Sequence, residues 1–131
     1  MTRQPIHSDE GGYLASAPYS QAMVGAGLVF TAGAIGLDPA TGSLVEGGLA
    51  PETTQAISNL RSVLAAAGTD LAGVLKCTVF LVDDADFAPF NEVYRAAFPE
   101  PFPARTTVVV RSLPRGALIE IECVALAPKP S

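Results

Sequence analysis

The sequence predicts a single α+β domain, β-β-α-β-α-β-β in order, with two helices packed on one face of a mixed sheet. Three observations predict it. Residues 51–68 and 83–98 carry apolar side chains at helical spacing. Residues 76–82 and 106–110 are short runs rich in β-branched residues. Residues 118–126 alternate apolar and polar positions before ending in an apolar run. Two strand–helix units followed by further strands place both helices on the same sheet face. The 131 residues suit one domain, taken here as residues 1–131.

Residues 1–12 are polar and read as a mobile N-terminal arm. Residues 22–33, AMVGAGLVFTAG, read as two short strands joined at Gly25-Ala26-Gly27, a hairpin signal. Residues 37–48 are dense in Gly, Pro, Asp and Thr and form a loop. Pro51 and Glu52 suit the first turn of a helix. Ile57, Leu60, Val63, Leu64 and Ala67 then form its apolar stripe, and Gly68 caps it. KCTVFLV, residues 76–82, is a strand whose apolar character predicts burial on both faces. Asp83, Asp84 and Asp86 start a second helix, Phe87, Phe90, Tyr94 and Phe98 line one side of it, and Pro99, Pro101 and Pro103 end it. TTVVV is the next strand, SLPRGA a turn, and LIEIECVAL the last strand.

Composition narrows the function classes. The charge balance is 8 − 13 = −5 with no Lys/Arg cluster, so the basic footprint of a nucleic-acid binder is missing. There is no apolar run of membrane-spanning length, and the first residues lack the hydrophobic core of a signal peptide, so a cytoplasmic location is expected. The chain is 49% hydrophobic and only 16% charged, a sticky composition for a small monomer, which points to an oligomer. Cys77 and Cys123 fall in apolar strands and read as reduced core cysteines. His7 is the only histidine and lies in the polar arm. No metal site and no catalytic histidine are expected from this set.

Five residues are candidates for chemistry. Arg105 stands where the turn PFPA enters an apolar strand, a costly place for a permanent cation. It is either a strand-end arginine reaching solvent or a clamp for a carboxylate or phosphate, whose geometry a guanidinium matches with two parallel hydrogen bonds. Glu120 and Glu122 share one face of the last strand, opposite Ile119, Ile121 and Cys123. They either face solvent or place an acid/base group in a cleft. Tyr19, in the turn SAPYSQ, and Asn91, on the second helix, are each compatible with a plain surface role.

Taken together these segments are more specific. SAPYSQA, LVFTAGAIGLDPATG, LKCTVFLVDDADFAPFNEVYRAAF, PARTTV and LIEIECVAL, in this order and at these intervals, resemble the RidA family, also called YjgF or L-PSP, from about residue 17 to 127. The resemblance implies a fold like that of the small chorismate mutases, assembled as a homotrimer with active sites in the clefts between subunits. It implies hydrolysis of reactive enamines and imines, such as 2-aminoacrylate, to 2-keto acids and ammonia, with no cofactor. Arg105 then matches the arginine that grips the substrate carboxylate, and Glu120 the glutamate that positions or activates water. Tyr19 and Asn91 match residues at the cleft, Gly33 a glycine that approaches the ligand, and Thr107 a pocket position where cysteine is frequent.

The chemistry suits these residue types. An enamine protonated at carbon becomes an iminium, which is already electrophilic, so no protein nucleophile is needed. A carboxylate clamp for orientation and one acid/base group suffice. TAGAIG, residues 31–36, departs from the family's usual TSGQIP. Ala32, Ala34 and Gly36 replace serine, glutamine and proline, which points to a larger or more apolar imino acid, or to a dedicated pathway substrate. Two other classes are set beside the deaminase. A non-catalytic metabolite-binding or chaperone-like module would keep Arg105 but not depend on Glu120. An endoribonuclease, an activity also attached to this family, is opposed by the −5 charge and the lack of a histidine pair.

Overall fold

A computed structural model describes residues 2–14 and 16–129. The strands are β1 (Gln4–Ile6), β2 (Ala22–Gly25), β3 (Leu28–Thr31), β4 (Val74–Leu81), β5 (Ala104–Val109) and β6 (Ile119–Leu126). The helices are α1 (Leu49–Ala66), between β3 and β4, and α2 (Phe87–Ala97), between β4 and β5. The strands form one sheet in the order β1-β2-β3-β6-β4-β5. β4 and β5 run parallel and all other neighbours antiparallel, so the sheet is mixed. Both helices pack on one face of this single domain. Among the described residues no helix is long and apolar enough to cross a membrane.

Local sequence explains each boundary. The β2–β3 turn places Ala26 and Gly27 at φ 53° and 77°, the left-handed pair that a tight hairpin requires. α1 ends at Gly68, φ 83°, whose N–H donates to Ala65 O at 2.9 Å while the Thr69 N–H donates to Leu64 O at 3.0 Å. These two bonds satisfy carbonyls that a helix end leaves open. Asp83 Oδ1 accepts from Ala85 N–H at 2.9 Å and starts the short 3₁₀ turn that leads into α2.

The core lies between helices and sheet. Ile57, Leu60, Val63 and Leu64 from α1, Phe90 and Tyr94 from α2, and Phe98 just after it are buried against Cys77, Val79 and Leu81 of β4 and Ile119, Ile121, Cys123 and Ala125 of β6. Each fully buried Leu, Ile or Phe contributes about 2–3 kcal/mol of transfer free energy. The opposite sheet face has no helix over it. Register puts Phe30, Leu126, Phe80 and Val108 there with Glu120 and Glu122. Phe30, Val108 and Leu126 are 47%, 39% and 51% exposed.

Two sequence expectations are corrected. The arm is not free along its length: Gln4–Ile6 form edge strand β1 on β2, and the buried Gln21 side chain exchanges two hydrogen bonds with the Ser8 backbone, at 2.7 and 3.0 Å. Pro5 suits the sheet edge, where its missing N–H costs nothing. Within a single chain β4 is buried on one face, not two. Val74, Cys77, Val79 and Leu81 are buried, whereas Thr78 and Phe80 are half-exposed on the face the helices leave open. α1 begins at Leu49, which puts Pro51 and Glu52 in its first turn as expected.

Candidate active site

Arg105 is the second residue of β5, directly beside Cys77 on β4, so its side chain emerges on the helix-covered face at the sheet edge. There it meets α2. Arg105 Nη2 donates to Asn91 Oδ1 at 2.8 Å, and its guanidinium carbon lies 4.8 Å from the Tyr94 ring centroid and 5.4 Å from that of Phe90. Tyr94 is itself stacked on Phe98 at 4.2 Å. Burial pushes the Tyr94 phenol well above its ordinary pKa, so a neutral ring stays beneath the cation. Among the described residues no carboxylate forms an ion pair with Arg105. The guanidinium opens into a cleft of about 200 Å³ lined by Asn91, Tyr94, Arg95, Phe102, Pro103 and Arg105. The arrangement is a partly buried donor fork steadied by Asn91 and the Tyr94 ring, a geometry that suits a carboxylate ligand.

Glu120 emerges on the other sheet face, in register with Phe80 and through it with Val108. The segment after β3 folds over it. Ala34 and Ile121 exchange backbone hydrogen bonds at 2.7 and 3.0 Å, which brings Gly33 onto the carboxyl group. A Cβ at Gly33 would sit 2.5 Å from Glu120 Cδ, so only glycine permits the contact as it stands. The Glu120 carboxyl is raised above its usual range, first by burial and second by the charge of Glu122. Tyr19 and Gly33 line one water-sized cavity. Tyr19 Oη accepts the Leu14 N–H at 2.8 Å, which leaves the phenolic proton free to donate outward. The Tyr19 ring packs on Tyr13, 5.3 Å between centroids.

The chain therefore holds two separate groups of candidate residues. Arg105 and Asn91 sit on the helix side; Glu120 lies on the other with Gly33 against it, and Tyr19 shares a cavity wall with Gly33. The fold does not join them within the chain, because the sheet lies between Arg105 and Glu120.

The family model described as Endoribonuclease L-PSP matches residues 12–127, nearly the whole chain. The chain belongs to the RidA, or L-PSP, family. DfrA of Myxococcus xanthus is 46% identical over 129 residues, 97% of this chain and 98% of its own length. Human 2-iminobutanoate/2-iminopropanoate deaminase is 47% identical over 109 residues, 83% of this chain and 80% of its own. TdcF of E. coli, solved with bound serine, matches with a TM-score of 0.88 and 32% identity over 95% of this chain and 99% of that one.

Thr107 of this RidA chain behaves differently from the other predicted residues. It lies on the same face as Arg105, beside Val79, but does not line the cleft. Its Oγ1 is sealed from solvent without a hydrogen-bond partner. Sequence reasoning missed the buried polar residues of α1. Asn59 donates through Nδ2 to Ile35 O at 3.0 Å and Leu37 O at 2.8 Å and accepts from Gln55 Nε2 at 2.9 Å. Glu52 Oε1 accepts the Leu118 N–H at 2.9 Å. These bonds tie the segment after Gly33 and the start of β6 to one helix, and so brace both sides of the Glu120 contact. The available signal was polar residues at helix positions that the apolar stripe would have buried.

Proposed function

We propose that this RidA-family protein hydrolyses enamine and imine derivatives of amino acids to 2-oxo acids and ammonia, as a cytoplasmic homotrimer whose active sites lie between subunits. The observation that carries the reading is the uncompensated Arg105 fork, steadied by Asn91 and the Tyr94 face, which seats the substrate carboxylate. The names of its relatives favour the same chemistry: one is an iminobutanoate/iminopropanoate deaminase and another was solved with an amino acid bound.

The reaction follows from the residue types. The enamine takes a proton at carbon to become the iminium. Water adds to the iminium carbon while Glu120 holds it and takes its proton. The tetrahedral carbinolamine then receives a proton on nitrogen and expels ammonia, leaving the 2-oxo acid. Burial, and next the charge of Glu122, raise the Glu120 pKa and so make its carboxylate a stronger proton acceptor. Tyr19, with its proton free, donates to the ligand or to the water. The carboxylate needs Arg105 and the water needs Glu120, and they lie on opposite faces of one sheet. A neighbouring subunit bringing its Tyr19, Gly33 and Glu120 to this Arg105 completes the site. The apolar face carrying Phe30, Val108 and Leu126 gives such a ring a surface to bury.

The test is ammonia release from imino acids generated in situ by an amino-acid oxidase. The reading expects acceleration over spontaneous hydrolysis that disappears in Arg105→Ala. Equal rates with and without the protein would overturn it.

A further inference from the structure

Arg95 stands one helical turn after Asn91 on α2 and lines the same cleft as Arg105. The other walls are Tyr94, Phe102, Pro103 and Asn91, so the two guanidinium groups are the only ionised side chains among the lining residues. The carboxylate that Arg95 contacts is Glu92, three residues back on the same helix, at 3.6 Å with both side chains largely exposed. That is a long, solvent-screened contact of little strength. Two cations thus open into one apolar-walled cleft, in a chain whose net charge is −5. Like charges sharing a cleft repel unless an anion lies between them, and Arg105 offers a seat for only one carboxylate.

We propose that Arg95 makes this cleft selective for imino acids that carry a second, distal carboxylate. The inference rests on the deaminase reading above and names its substrate class: short-chain 2-imino dicarboxylates, as formed by oxidation of acidic amino acids. Arg105, with Asn91, holds the carboxylate beside the imine carbon. Tyr94, Phe102 and Pro103 cover the intervening methylene groups, and Arg95 at the mouth pairs with the far carboxylate. The bond changes are those of the parent reaction. Water supplies the oxygen, the C–N bond breaks, ammonia leaves, and the product is a 2-oxo dicarboxylate.

The experiment compares imino acids made in situ from aspartate and glutamate with those made from alanine and norvaline. In parallel, calorimetry measures the binding of 2-oxoglutarate and 2-oxopentanoate, which share a chain length and differ in the distal carboxylate. Wild type is expected to favour the diacid in both assays by about tenfold or more, the range of a charge-assisted contact at a partly exposed site. In Arg95→Gln the diacid-to-monoacid ratio falls about tenfold, chiefly through KM, and Arg95→Lys keeps an intermediate ratio. Acceleration on all four substrates with no diacid preference, or a ratio that Arg95→Gln leaves unmoved, overturns the inference alone. A ratio that drops only because Arg95→Gln dissociates the oligomer, seen as a fall in mass by light scattering, also overturns it. Absence of acceleration on every imino acid overturns the deaminase reading and the inference with it.

Discussion

Replacing Gly33 with alanine adds one methyl group against the Glu120 carboxyl. The new Cβ would lie 2.5 Å from Glu120 Cδ, 2.7 Å from Cγ and 2.9 Å from Oε2. Ordinary carbon contacts are about 3.5 Å, so the carboxyl must retreat by roughly 1 Å. Gly33 does not have the positive φ that makes a substitution strained whatever the space, and Glu120 is a half-exposed side chain that can swing away. Stability should therefore fall by only about 1 kcal/mol. Activity should fall much further, because displacing a reacting group by 1 Å costs on the order of 100-fold, or about 2.7 kcal/mol of barrier. The assay is kcat/KM on an imino acid beside a thermal melt, for Gly33→Ala, Glu120→Gln and the double variant. If Gly33 acts through Glu120, the double variant is no slower than Glu120→Gln. Wild-type turnover in Gly33→Ala, or additive losses in the double variant, would refute the contact as a source of catalytic positioning.

Four more outcomes are expected. Arg105→Lys keeps the charge but loses the fork and the stacked plane over Tyr94, so kcat/KM should drop roughly 30- to 1,000-fold; near wild-type kinetics would remove the clamp. Glu122→Gln removes the charge that is the second cause of the raised Glu120 pKa, so the acid limb of the kcat/KM profile should move to lower pH; an unmoved limb would show that Glu120 is not the titrating group. Because the folded-state pKa of Glu120 is raised, its ionised form disfavours the native state, and the stability present below the ordinary carboxylate pKa is lost as pH rises through the raised value. Glu120→Gln should accordingly raise Tm at neutral pH while it lowers turnover, and a Tm that falls there would contradict the assignment. Asn59→Ala takes the side-chain donor from Leu37 O and leaves Ile35 O with the Leu37 N–H alone, and should cost about 1–3 kcal/mol in chemical denaturation; a loss below about 1 kcal/mol would mean the segment does not depend on it.

What the sequence made legible was local. The α1 stripe from Ile57 to Leu64, the Gly68 cap, the Ala26-Gly27 turn and the Phe90-Tyr94-Phe98 face each follow from residues within a turn or two of one another. Pro5 and the polar residues around it misled for the same reason: β1 exists because an edge of β2 is available, and nothing within Gln4–Ile6 announces it. The mixed sheet order depends on β6 inserting between β3 and β4, a pairing of distant segments. At the site, Arg105 and Glu120 were visible as residues whose type clashed with an apolar strand. Their placement on opposite sheet faces follows only from register, as does the approach of Gly33 to Glu120. Asn59 was hidden because a helix position carries no mark of the two loop carbonyls it will meet.

The central claim, that each active site combines Arg105 of one subunit with Tyr19 and Glu120 of another, is tested most directly by mixing two inactive variants. Tyr19→Ala keeps Arg105, and Arg105→Ala keeps Tyr19 and Glu120. Co-expressed in equal amounts and assembled at random in a ring, they place an intact Arg105 against an intact Tyr19 in about a quarter of the sites. The account predicts imine-deaminase activity near a quarter of wild type from an assembly of 3 × 13.5 = 40.5 kDa by light scattering. Hybrid assemblies no more active than either variant alone, or a 13.5 kDa monomer with full activity, would contradict it.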